Sequence, residues 1–239
     1  MSTINLLYQR QYAINDSIRI VIPTVGEILQ NEDAYFSLVQ FFTAQPIDFM
    51  VPLDDAGIDF TKINEWDLFL ILLPSIMSQD TTMIFDGLDL SKFKVMQDTS
   101  TEQIVLLDEL TGARIDRKVL GQIAAVLRRI HHLEKNQRKP ANEEAKKYMI
   151  ERARVKAKRK KKRKSEESDL ESLIIAMVNT EQFKYDFDSV LNLTIYQFNE
   201  SVRQIIKKVD YDNRMYGVYS GTLNPKELKP DDLNWLVRS

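Results

Sequence analysis

The chain has 239 residues, 33 of them Lys or Arg and 35 Asp or Glu, and no cysteine. That length is enough for one large domain or two small ones with a full hydrophobic core. The lack of cysteine excludes a disulfide scaffold, a thiolate metal site and a cysteine nucleophile. The first residues show no basic start followed by an apolar run, and the longest apolar run is Leu68 to Leu73. A membrane span needs about 20 apolar residues, so the sequence predicts a soluble, unexported protein.

The net charge of −2 hides three zones. Residues 1–127 carry 8 basic and 18 acidic residues, 128–164 carry 17 and 4, and 165–239 carry 8 and 13. A positive bar therefore lies between two acidic bodies, and its charge could be met within the chain, between copies or by a partner.

Residues 4–23 read as a β-hairpin. Ile18, Ile20 and Ile22 alternate with Arg19 and Val21, and the Asn15-Asp16 pair supplies a turn. A helix is predicted from Asn31, with Glu32 and Asp33 in its first turn and Tyr35, Leu38, Val39 and Phe42 on one face. A short helix over Ile47–Asp55 stops at Gly57. Another starts at Asn64 with Asp67 three residues on; its Leu68–Leu73 run predicts burial all round, and Pro74 ends it. Residues 83–107 return to β character in "MIFDGLDL", "KFKVMQD" and "QIVLLD", split by Asp-Gly and "DTST". These runs are expected to form one small meander with the N-terminal hairpin.

From Asp116 a strongly amphipathic helix follows, with Val119, Leu120, Ile123, Val126, Leu127, Ile130 and Leu133 at helical spacing. Residues 141–164 read as a helix with almost no apolar face, since Tyr148, Met149, Ile150 and Val155 are its only sizeable apolar residues. Such a helix should be exposed unless a partner covers it. Ser168-x-x-Glu171 is a capping-box pattern before Leu170, Leu173, Ile174 and Met177. Farther on, Ile195, Phe198, Val202, Ile205 and Val209 are spaced three, four, three and four. That is a candidate seam for a partner helix, though two heptads are fewer than a coiled coil needs. The tail "GTLNPKELKPDDLNWLVRS" is expected to run extended and to dock its Trp235 on the body.

The glycines form no phosphate loop, and no GxSxG or HExxH occurs. His131 and His132 are adjacent, so on a helix they point about 100° apart and read as structural residues near a helix end. Asp54-Asp55 and Asp86 to Asp89 look like turn chemistry. No cofactor or metal set emerges, and the reading is of a protein that is not an enzyme, although a pair of acids could still meet from distant positions.

The strongest signal is basic. Ten of the thirteen residues from Arg152 to Lys164 are cationic: Arg152, Arg154, Lys156, Lys158, Arg159, Lys160, Lys161, Lys162, Arg163 and Lys164. They could hold phosphates or an acidic protein surface. The block holds no aromatic residue for stacking and no Asn or Gln for base readout, and on an ideal helix its charges face all sides.

The C-terminal stretch "NLTIYQFNESVRQIIKKVDYDNRMYGVYSGTLNPKELKPDDLNWL", with "IPTVGEIL" and "YFSLVQFFTAQPIDFMVPLDDAGIDFTKINEWDLFLILL" near the start, resembles small proteins of tailed bacteriophages of Gram-positive hosts. The resemblance implies a role in tail or baseplate morphogenesis, as a chaperone-like factor or a minor structural component. Its implied partners are other tail or baseplate proteins, and copies of itself, in the host cytoplasm during assembly or in the virion. The basic block has no counterpart in that resemblance. The expected architecture is α+β and predominantly helical, with a small antiparallel sheet. It divides into a body over 1–135, a charged helix or linker over 136–167 and a C-terminal helical unit over 168–239. The expected function is non-enzymatic tail or baseplate assembly through protein contacts, with nonspecific nucleic-acid binding by the basic block as the alternative.

Overall fold

The computed structural model describes residues 5–98, 102–162 and 168–236. Ile4 of the hairpin segment, Thr99, Ser100 and Thr101 of the "DTST" break, Glu166 and Glu167 lie outside the described residues. The fold is α+β and predominantly helical.

Strands β1 (Gln11–Ala13) and β2 (Arg19–Val21) form the expected hairpin, with Asn15 Oδ1 accepting from the Ser17 and Ile18 amides in the turn. The single meander is corrected. A second, separate sheet holds β3 (Lys94–Gln97), β4 (Ile104–Leu107) and β5 (Arg114–Ile115), all antiparallel. The "MIFDGLDL" run is mostly turn. The Ile84 and Phe85 amides both donate back to Thr81 O, and Gly87 takes a positive φ of 73°. Only Phe85 bridges to Ile20. Ile84 and Phe85 are apolar because they are fully buried, and that burial mimics a strand signal.

Helix α1 (Val25–Leu29) was not anticipated, although Thr24-x-x-Glu27 is a legible capping box: Thr24 Oγ1 accepts from the Glu27 amide and Glu27 returns to Thr24. Then come α2 (Glu32–Thr43), a 3-10 turn at Pro46–Phe49, α3 (Met50–Asp55) and α4 (Glu65–Leu72). Asn64 and Asp67 cap α4 reciprocally. Its burial is one-sided: Leu68 and Phe69 are enclosed, while Ile71 is exposed. Helix α5 (Arg117–His131) is capped by Asp116 and ends at His132 in the left-handed region, φ 52°. Next are α6 (Glu143–Lys162), α7 (Asp169–Val178), α8 (Phe187–Val190) and α9 (Ile195–Tyr219).

One continuous core runs from Leu6 to Phe198. It gathers β2, α1, α2, α4, α5, α7 and the first turn of α9. A satellite cluster of Ala44, Ile47, Leu53, Phe60, Leu68 and Ile150 lies beside it. α7 is tied to α2 by a polar clasp, in which Ser168 Oγ and the Leu170 amide (3.1 Å) both donate to the Glu32 carboxylate.

Candidate interaction surfaces

Two helices outrun the body, and each offers one bare face. The first is α6. The loop before it is pinned where the Asn136 amide donates to Gln45 Oε1 (2.7 Å) and Lys135 Nζ meets Glu65 (2.9 Å). The same carboxylate lies 3.8 Å from the buried Arg128, whose guanidinium donates to Thr43 O at 2.6 Å. The helix then docks along one line. Lys146 Nζ pairs with Asp59 at 3.1 Å, Ile150 enters the satellite cluster at 7% exposure, and Arg154 forks to Asp54 (2.7 Å) and Asp55 (2.6 Å). Asp59 is held down at about 2, first by Thr61 and then by Lys146.

The helix has almost no apolar face, as its sequence indicates, yet it is docked on this chain's own body. A single Ile, one turn from each flanking cation, seats its first half, with Met149 packed beside it. Part of the acidic surface met by the basic block therefore belongs to this chain, through Asp54 and Asp55. Arg152, Lys156, Lys158 and Arg159 are exposed, and among the described residues none has a carboxylate within ion-pairing distance. For Lys160, Lys161 and Lys162 the helical backbone alone is described, and Arg163 and Lys164 lie outside the described residues.

The second surface is on α9. Thr194 and Gln197 cap its start, and the Ile195 amide donates to Pro23 O at 2.8 Å. The sequence seam is divided by the fold. Ile195 and Phe198 are buried in the main core, Val202 and Ile205 pack half-buried against it, and Val209 is exposed. Beyond Val202 the outward residues are Ile206, Val209, Asp212, Asn213, Tyr216 and Tyr219. At about 100° per residue, Ile206, Val209, Asn213 and Tyr216 share roughly 80° of arc. Ile206 is 62% exposed, Tyr216 77% and Tyr219 84%.

The tail covers the opposite side. α9 ends in a Schellman reversal: the Thr222 amide donates to Gly217 O (2.9 Å) and the Gly221 amide to Val218 O (3.1 Å), with Gly221 at φ 77°. A Cβ on Gly217 would stand 2.7 Å from Leu223 Cδ1, so the turn closes against bare helix backbone. The chain then returns along α9. Arg214 pairs with Asp232, Lys207 Nζ donates to Asp231 O (2.8 Å) and Gln204 Nε2 to Trp235 O (2.7 Å). Lys208 lies 6.0 Å from the centre of the Trp235 ring. The tail is thus two 3-10 turns, Pro225–Glu227 and Pro230–Leu233, laid on α9 and not an extended strand docked on the body. The charged side of α9 is covered and the apolar side is left open.

The histidines sit at the joint beneath. His131 Nε2 and Tyr35 Oη share a 2.8 Å hydrogen bond, tying α5 to α2. Burial, then the neighbouring His132, lowers His131 to about 4, and burial raises Tyr35. His132 Nε2 lies 3.6 Å from Glu200 Oε1 on α9 and has no hydrogen bond. Burial lowers its pKa, partly opposed by Glu200. The Asn199 side chain donates to Ile130 O (3.1 Å), completing the α5–α9 joint. Among the described residues no group of three His, Asp or Glu could hold a metal, and no helix is long and apolar enough to cross a membrane.

Sequence reasoning reads Tyr148 only as an apolar residue of the helix, not as the exposed ring one turn before Arg152, and it misses the Ile206, Tyr216 and Tyr219 extension of the seam. The signal for Tyr148 was its four-residue spacing from Arg152. The signal for the α9 face was spacing continued past Val209 across Asn213.

Residues 159–239, about a third of the chain, match the model of the YomV second domain. No curated protein and no solved structure matches. The matched part runs from the outer end of α6 through α9 and its tail, and it is similar to a phage-derived family of the SPbeta type, as expected for a phage protein.

Proposed function

We propose that this protein is a non-enzymatic component of bacteriophage tail or baseplate morphogenesis, either an assembly factor or a minor structural part, that works through protein contacts. The observation that carries the reading is the bare apolar face of α9, Ile206, Val209 and Tyr216, in the segment that matches a phage-derived family. Large apolar side chains grouped on one face and rimmed by polar ones mark protein contact surfaces. Tyr is enriched at the energetic centres of such contacts. An amphipathic helix face of this kind suits a groove or a facing helix on another particle protein.

The test uses tagged full-length protein recovered from phage-producing cells, with tail and baseplate proteins identified by mass spectrometry. The proposal expects at least one to co-purify with wild type. Ile206→Asp/Tyr216→Asp should lose it at unchanged thermal stability. Wild type that captures no tail or baseplate protein, or a double variant that retains it fully, would sink the reading. Detection in purified virions would separate a structural part from a transient factor.

A further inference from the structure

We propose that the outward face of α6 binds single-stranded nucleic acid without sequence preference, using Arg152, Lys156 and Arg159 on phosphates and Tyr148 on a base. The sequence of the block leaves its cations on all sides of a helix; docking selects among them. Lys146, Ile150 and Arg154 face the body, and their line fixes the rotation of α6. At about 100° per residue, Tyr148, Arg152, Val155, Lys156 and Arg159 then fall within roughly 100° of arc centred opposite that line. Tyr148 is 65% exposed and Val155 44%. The face runs about 16 Å from Tyr148 to Arg159 at 1.5 Å per residue.

Two observations mark the face for a polyanion, and a third favours a nucleic acid over an acidic protein. Asp54, Asp55 and Asp59 are engaged by Arg154 and Lys146, and among the described residues no carboxylate lies within ion-pairing distance of the outward cations. Those cations are stacked at i and i+4 (Arg152 and Lys156), where like charges repel and a polyanion relieves the repulsion. An exposed aromatic ring heads the cationic row, the combination that tracks a strand backbone while stacking a base. Duplex DNA offers Tyr148 no unstacked base, so the face fits single strands better. The face carries no Asn or Gln to read adenine, and its cations are assigned to phosphates, which carry no sequence information. The surface is distinct from the α9 face, and its failure would leave that reading untouched.

The experiment is fluorescence anisotropy of full-length protein with a labelled oligo-dT of about 20 nucleotides and with a duplex of equal length. With three to four phosphate contacts, raising salt from about 50 to 200 mM should weaken single-strand binding roughly 20- to 50-fold. Arg152→Glu/Lys156→Glu/Arg159→Glu should lose at least tenfold, with far-UV circular dichroism unchanged. Tyr148→Ala should weaken the single strand several-fold and leave duplex binding alone. No binding at about 50 mM salt, or full binding by the triple variant, overturns the proposal. Equal affinity for a poly-glutamate probe, lost in the same triple variant, would reassign the face to an acidic protein. An indifferent Tyr148→Ala would overturn the single-strand assignment.

Discussion

Helices α6 and α9, the longest among the described residues, leave the body in the same manner and present opposite chemistry. α9 is rooted in the main core by Ile195, Tyr196 and Phe198, whereas α6 hangs on one buried side chain, Ile150, and two sets of ion pairs. What each shows to solvent is what its docking leaves over. In α9 the returning tail engages Gln204, Lys207 and Arg214, and the apolar stripe is what remains. In α6 the body takes Ile150 and Arg154, and the cationic row with Tyr148 remains. The average composition of a helix is therefore a poor guide to its surface; the face removed by packing decides it.

The difference in roots is the first thing to break. Phe198→Ala should cost about 3–5 kcal/mol in urea unfolding, because it opens a cavity in the main core. A loss below about 1 kcal/mol would mean that α9 is not rooted there. Ile150→Ala should cost about 2–3 kcal/mol, and locally: amide exchange over 143–159 should accelerate while α2 and α5 stay protected. Equal acceleration in α5 would show that the satellite cluster is not separate.

The titratable neighbour of the α9 root is an imidazole, His131, where that of the α6 root is the Asp59 carboxylate. His131 holds a proton less well folded (about 4) than unfolded (6.5). Between these pH values the unfolded chain binds more protons, so stability is full above about 6.5 and falls as pH drops toward 4. Allowing for the partial exposure of the ring, the loss should be about 2 kcal/mol. His131→Gln should flatten that limb in pH-dependent melting; an unchanged slope would assign it to other groups. Smallest of all, Arg154→Ala should lower the melting temperature only slightly, since its partners are half-exposed carboxylates. A double-mutant cycle with Asp54→Ala checks that the pair is weakly coupled.

Much of the fold was legible wherever a cap and a period coincide. Asn64 with Asp67, Asp116 and Ser168 each start a helix where the sequence places one. Legibility fails where burial and secondary structure part company. Ile84 and Phe85 look like strand because they are enclosed, yet the chain turns there around Thr81 and Gly87. Two sheets form in place of one because, among the described residues, only the Phe85 bridge joins the second β region to the hairpin. Of the surfaces, the sequence shows the basic block and half the seam. It cannot show which face is left, because that depends on Asp54, Asp55 and the tail, about 100 and 20 residues away in the chain.

The bare side of α9 is proposed as the side that meets another protein. A photo-crosslinking residue at position 216, set against one at Tyr211 on the tail-covered side, tests it directly in phage-producing cells. A crosslink is expected from position 216 to a tail or baseplate protein, and from position 211 only internal products with residues 231–236. Crosslinks to such a protein from 211 and none from 216 would contradict it.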